Sequence, residues 1–159
     1  TGLLMQLEQN EAEEAQAMLK KAEAYAKQQD VDLLDARLAP DMFPLTRQVQ
    51  IATDHAKGCM ARLAGQAPEA INDGETSFAE LQARIQRVIG IVESFTPAQL
   101  EGSEKREVTV KIPNDELKFS GIDYVNLWAL PNFYFHVTTA YDILRHKGVE
   151  LGKRDFLMG

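Results

Sequence analysis

The stretch Ile122–Lys147, IDYVNLWALPNFYFHVTTAYDILRHK, decides the fold. Leu127, Leu130, Tyr134, Val137, Tyr141 and Leu144 recur three or four residues apart, the spacing of one helix face. Ala129, Phe133, His136, Ala140 and Ile143 mark a second apolar face. A helix apolar on two sides has more than one neighbour, so it is either the central helix of a bundle or part of a dimer interface. Asp123, Asn126, Asn132, His136 and Asp142 interrupt it, which argues against a membrane span. Pro131 removes one backbone hydrogen bond, so a kink is expected there, unless it opens the first turn of a new helix.

Three more helices precede it. Ala12, Ala15, Leu19, Ala22 and Ala26 give a first helix from about Leu3 to Gln28, with Glu11, Glu13, Glu14, Lys20, Lys21 and Lys27 expected on a solvated face. Leu45, Val49, Ala52, Ala56, Cys59 and Leu63 make a coiled-coil-like seam in a second helix, opened near Pro44 and ended by Gly65. In the irregular segment between these helices, Leu38, Met42 and Phe43 are expected to cover a core edge. Ser77 with Glu80 predicts a capping box for a third helix striped by Phe78, Leu81, Ile85, Val88, Val92 and Phe95.

Between Glu107 and Ser120 the period changes to two. Val108, Val110 and Ile112 alternate with Thr109 and Lys111, Pro113-Asn114-Asp115-Glu116 turns the chain, and Leu117 and Phe119 return. That predicts a β-hairpin at about 107–120, lying against helices because two strands alone are marginal. The expectation is an all-α four-helix bundle, one domain over 1–159, with a short β-hairpin inserted before the last helix.

Composition limits the function classes. The 159 residues suffice for a full core without disulfides or a structural metal. A formal charge of −7 and the lack of a basic stripe speak against nucleic-acid or anionic-membrane binding. Cys59 is the single cysteine, which excludes a disulfide framework and favours a reducing, cytoplasmic location. No basic segment followed by an apolar one opens the chain, so no signal peptide is expected.

His55, His136 and His146 are the available imidazoles. In an antiparallel pairing of the second and fourth helices, His55 lies about 11 residues from the start of one and His136 about 11 from the end of the other, hence at similar height. His146 lies roughly 15 Å further along the axis and reads as a C-terminal cation, with Arg145, Lys147 and Gly148 beside it and Asp142 one turn earlier. His55 and His136 are therefore the candidate metal ligands, for zinc or nickel, whereas a catalytic zinc usually takes three protein ligands. Asn132 and Ala140, one turn either side of His136, supply no good third. Asn132, Tyr134, Tyr141 and Trp128 are candidate pocket residues, although aromatics at helical spacing usually belong to the core. Cys59 reads as core, and Asp54 as half of a surface pair with Lys57 or Lys147.

The runs Leu38-Ala39-Pro40-Asp41-Met42-Phe43-Pro44-Leu45 and Pro131-Asn132-Phe133-Tyr134-Phe135-His136-Val137-Thr138-Thr139-Ala140-Tyr141 resemble those of an uncharacterised, largely bacterial family. So does the end, Ile143-Leu144-Arg145-His146-Lys147-Gly148-Val149 with Gly152-Lys153-Arg154-Asp155-Phe156. That family is grouped with the DinB/YfiT-like four-helix bundles, described as candidate metalloenzymes. The resemblance implies the bundle fold and a homodimer. Metal-binding members of the superfamily carry one His on helix two and an H-x-x-x-H pair late in helix four, often followed by Arg-Gly. Here Arg145-His146-Lys147-Gly148 resembles the end of that pattern, with Asp142 where the first His of the pair would stand. This second alignment would make Asp142, His146 and His55 the set, and helix height disfavours it.

The expectation is thus a non-catalytic small-molecule-binding or structural homodimer. The alternative is a zinc- or nickel-dependent enzyme activating water or a thiol.

Overall fold

The computed structural model describes residues 2–158, and each element follows from the local sequence. Helix α1 (Gly2–Gln29) is followed by α2 (Leu45–Leu63) and α3 (Phe78–Glu93). Two short 3₁₀ turns, Pro97–Leu100 and Ser103–Lys105, lead into strands β1 (Glu107–Ile112) and β2 (Asp115–Ser120). A short α4 (Gly121–Tyr124), a π turn (Val125–Ala129), α5 (Leu130–His146) and a terminal α6 (Lys153–Met158) complete the order. The described residues are mostly helical with one small two-stranded sheet, and no helix among them is long and apolar enough to cross a membrane.

The long helices pack in sequence-distant pairs. α2 lies along α5, α1 along α3, and α3 also meets α2. Their apolar stripes converge on Leu19, Ala22, Leu45, Met60, Leu81, Ile85, Ile143 and Leu144, all nearly fully buried. The hairpin is antiparallel, with Val108 opposite Phe119 and Val110 opposite Leu117. Val108 and Val110 are buried, as the two-residue period requires.

The last long helix is not one uniform rod. The five residues before Leu130 adopt π geometry, and Pro131 follows them within the continuing helix, its missing N–H accommodated beside the widened turn. The expected kink is therefore a widened turn, which holds one residue more than an α turn. It slides the two apolar faces out of register: Leu127 is 65% exposed, whereas Phe133, Val137 and Ala140 are buried. The double stripe beyond the π turn is consumed by neighbours within the chain.

Elsewhere two expectations change and one element is new. Leu38 and Phe43 face solvent, and Leu33 and Ala36 cover the core edge instead. Phe43 serves outward as a platform, with the Arg47 guanidinium 5.7 Å from its ring centre. Ser77 caps α3 by accepting from the Glu80 N–H, but Glu80 reaches the Thr76 N–H (2.7 Å), one residue beyond the predicted box. The terminal α6 was not legible as a helix. It is tied to α1 by Lys21–Asp155 (2.6 Å) and packs Phe156 against Tyr141.

Arg84 on α3 is a buried structural hub. Its guanidinium pairs with Asp54 (2.7 Å), Asp73 (2.9 Å) and Glu75 (3.0 Å), and its Nε donates to Thr53 (2.8 Å). It also bonds the Asn72 carbonyl, so the turn-rich segment between α2 and α3 is laced onto both helices. Asp54, expected to pair with Lys57 or Lys147, joins both Lys57 and Arg84. Arg84→Met is expected to cost about 3 kcal/mol, because three acids lose the cation between them. Urea unfolding would measure it, and a loss under about 1 kcal/mol would contradict the role of hub.

Candidate functional site

Two polar stripes flank the apolar seams where α1, α2 and α5 meet. On α2, Gln48, His55 and Arg62 recur every two turns beside the seam. On α1, extending the Ala12–Leu19 spacing back by one turn lands on Glu8, which is 2% exposed. Opposite them on α5 stands His136. Helix height placed His55 and His136 correctly: their ring centroids are 6.0 Å apart and nearly parallel.

Hydrogen bonding fixes His136. Gln48 is buried; its Nε2 donates to the Phe43 carbonyl (3.1 Å), so its Oε1 must be the acceptor facing His136 Nδ1 (2.6 Å). Nδ1 therefore carries the proton, and Nε2 keeps a free lone pair. Replacing Gln48 with Leu is expected to release this tautomer preference. Long-range nitrogen–proton NMR would then show His136 as a tautomer mixture. An unchanged spectrum would discount Gln48 as the anchor.

Both imidazoles are neutral near pH 7. Burial, then His136 and the Arg62 charge, push His55 down to about 4. Burial and the Arg47 charge lower His136. The carboxyls opposite shift the other way. Burial drives Glu8 up to about 8, offset in part by the Cys59 thiol that donates to it. Burial and the neighbouring Glu14 raise Glu11 to about 7, and burial with Glu13 raises Glu14. One oxygen each of Glu8, Glu11 and Glu14 is buried without a hydrogen-bond partner among the described residues. Composition had placed Glu11 and Glu14 on a solvated face; packing against α2, α3 and α5 turns their oxygens inward instead.

Cys59 is fully buried core, as its seam position implied, and burial beside Glu8 raises its thiol well above the usual range. Arg62 donates to the Tyr124 hydroxyl (3.2 Å), and burial pushes that phenol to about 12.

Next to this seam lies a cavity of about 30 Å³. Apolar side chains dominate its wall, among them Ala15, Val49, Ala52, Phe133, Val137 and Leu144. Glu11, Gln48, Thr53 and His136 are its polar members. The four aromatic and amide candidates do not gather there. Trp128 packs on Phe119 of the hairpin, Tyr141 on Phe156, and Asn132 bonds back to the Trp128 carbonyl. Tyr134 packs edge-on against Phe133, and after burial the charges of Glu11, Glu8 and Glu14 raise its phenol. His146 and Asp142 are both exposed, with no ion pair between them among the described residues.

A superfamily metal would need a fuller ligand set. His55 and His136 supply two imidazoles, and the grip of Gln48 on Nδ1 is the support a ligating histidine normally receives. Among the described residues no group of three His, Cys, Asp or Glu side chains is placed to hold a metal ion. The residues present therefore do not fit a catalytic zinc or nickel centre of the usual three-ligand kind.

Comparisons with known proteins agree with the architecture. No curated protein sequence matches the chain. The crystal structure of a DinB family member protein from Shewanella denitrificans superposes with a TM-score of 0.88 at 40% identity, over 98% of this chain and 89% of that one. The family model described as domain of unknown function DUF1993 matches residues 4–157. The chain belongs to the DUF1993 family, a DinB-like family of helical proteins.

Proposed function

We propose that this chain is a single-domain four-helix bundle, built from α1, α2, α3 and α5, that binds a small molecule without transforming it. The observation that carries this reading is the cavity, an apolar space between α1, α2, α3 and α5 whose wall also includes the side chains of Glu11, Gln48, Thr53 and His136. Small-molecule sites typically combine apolar walls with a few convergent polar groups of shifted pKa.

The test is methyl NMR with a library of small fragments. Fragments that bind should shift the methyl signals of Val49, Val137 and Leu144, and Ala52→Leu, which fills the space, should abolish the response. A library that leaves these methyls untouched overturns the reading.

The rival, a zinc- or nickel-dependent enzyme acting through His55 and His136, draws support from the Gln48 contact alone. Metal analysis of protein purified without chelator separates the two. Bound transition metal released by His55→Ala and His136→Ala, but not by His146→Ala, would favour the enzyme. The homodimer is likewise a proposal, and it now rests on exposed Leu127 and Phe135. Sedimentation showing only monomer at micromolar concentration would remove it.

A further inference from the structure

We propose that His55, Gly58 and Arg62, on one face of α2, form a binding site for a small monocarboxylate. The site is separate from the cavity described above, which neither Arg62 nor His55 lines.

Spacing brings the three residues together. His55, Gly58 and Arg62 stand three and four positions apart, so they are neighbours on one helix face. The Arg62 side chain folds back along that face: a Cβ on Gly58 would lie 2.6 Å from its Nη1 and 3.4 Å from its Cζ. The guanidinium therefore covers Gly58, one turn from His55. Nη1 also donates to the Tyr124 hydroxyl (3.2 Å), which holds the group from the side of α4. After burial and the neighbouring His136, the Arg62 charge is what acts on the His55 ring. Glycine costs about 1 kcal/mol against alanine in a helix interior. At position 58 its missing Cβ leaves the space that the guanidinium occupies.

What this arginine lacks is an acid. Among the described residues no carboxylate forms an ion pair with Arg62. Asp54, next to His55 in the chain, is taken by Lys57 and Arg84. Glu8, which with Arg62 acts on Tyr124, has its pKa pushed up to about 8 by burial and bonds the Cys59 thiol instead. His55 is half-buried, and a neutral imidazole carries one N–H donor. A fixed guanidinium with unused N–H groups is a planar fork that fits a carboxylate, and the imidazole beside it can donate to the same anion.

Charge selects the ligand. One uncompensated positive group is matched by one negative charge, and a cation would meet repulsion. A dianion would need a second cation, and Arg47, the other arginine of α2, is held by Asp73. For a ligand of so few atoms at a partly open face, the affinity is expected in the millimolar range.

The experiment is an NMR titration of the full chain with sodium acetate at constant ionic strength, with sodium sulfate and ethylammonium chloride in parallel. Acetate should shift the Arg62 Nε–Hε and His55 ring signals and leave the cavity methyls of Val49 and Val137 in place. Sulfate should bind at least about tenfold more weakly, and ethylammonium should move neither signal. Gly58→Ala displaces the guanidinium while keeping its charge, and a better helix former keeps the fold. It should weaken acetate at least about tenfold. Arg62→Lys, which keeps the charge and loses the fork, should do the same at the His55 signals. Circular dichroism melts show that both variants are folded. Arg62 and His55 signals that stay in place in saturating acetate overturn the site, and so does acetate binding that survives both substitutions. Sulfate binding as tight as that of acetate overturns the monocarboxylate assignment.

Discussion

Replacing Gly121 with alanine is expected to cost the protein its cooperative fold. A Cβ at Gly121 would lie 1.7 Å from the Ser103 carbonyl oxygen and 2.7 Å from its carbon. Both are backbone atoms of the 3₁₀ turn Ser103–Lys105, so no side-chain rotation relieves the overlap. Either that turn or the start of α4 must move, and Ser103 and Tyr124, both buried, would move with them. The expected loss is at least about 4 kcal/mol, beyond the usual range for single substitutions. Gly90→Ala is the matched control. It lies within α3 with no atom within 4 Å of its would-be Cβ, so helix propensity alone should act and stabilise by up to about 1 kcal/mol. Thermal unfolding followed by circular dichroism compares the two. A Gly121→Ala protein that melts with its parent would disprove the close approach.

Glu8 makes the second large effect, and it depends on pH. Its folded pKa, about 8, stands above the ordinary 4.5, so between those values the folded chain binds a proton that the unfolded chain has released. Stability therefore falls as pH rises through that window, by up to about 5 kcal/mol in total. Glu11 adds a smaller loss that ends near pH 7. His55 acts oppositely: its folded pKa of about 4 lies below 6.5, so its contribution fades as pH falls between those limits. Above about pH 6.5, where the His55 contribution is complete, the raised glutamates of α1 set the direction of the slope. Glu8→Gln imitates the neutral acid and should match its parent near pH 4.5. Near pH 8.5 it should be more stable by a few kcal/mol. Urea midpoints across that range are the measurement, and parallel curves for the two proteins would mean that Glu8 ionises without penalty.

Periodicity revealed what depends on one face at a time. The α3 stripe, the seam of α2 and the alternation in β1 each need only local spacing, and they form as the sequence implies. The approach of His55 to His136 was legible too, because the rise per residue converts sequence position into height. The glutamates of α1 were not. Composition assigns a carboxylate to water, and only the packing of α1 against its neighbours turns Glu8 inward. The one local hint was that the apolar spacing, extended back from Ala12, passes through it. Arg84 was hidden for a similar reason: its acids lie in α2 and in the loop before α3, and nothing local links them. The outward turn of Phe43 depends on Arg47 and on the backbone that presents its carbonyl to Gln48.

The π turn at Val125–Ala129 has a bearing on how the molecule tolerates change. It stores one residue more than an α turn, and it separates the hairpin on one side from His136 on the other. Deleting a single residue there would restore ordinary α geometry. Because the five residues of the wide turn sweep about the same angle as four of an α-helix, the hairpin and the length carrying His136 would keep nearly the same orientation to one another. The wide turn is thus a slack link: it can give up one residue while the hairpin end and the histidine end both keep their bearings.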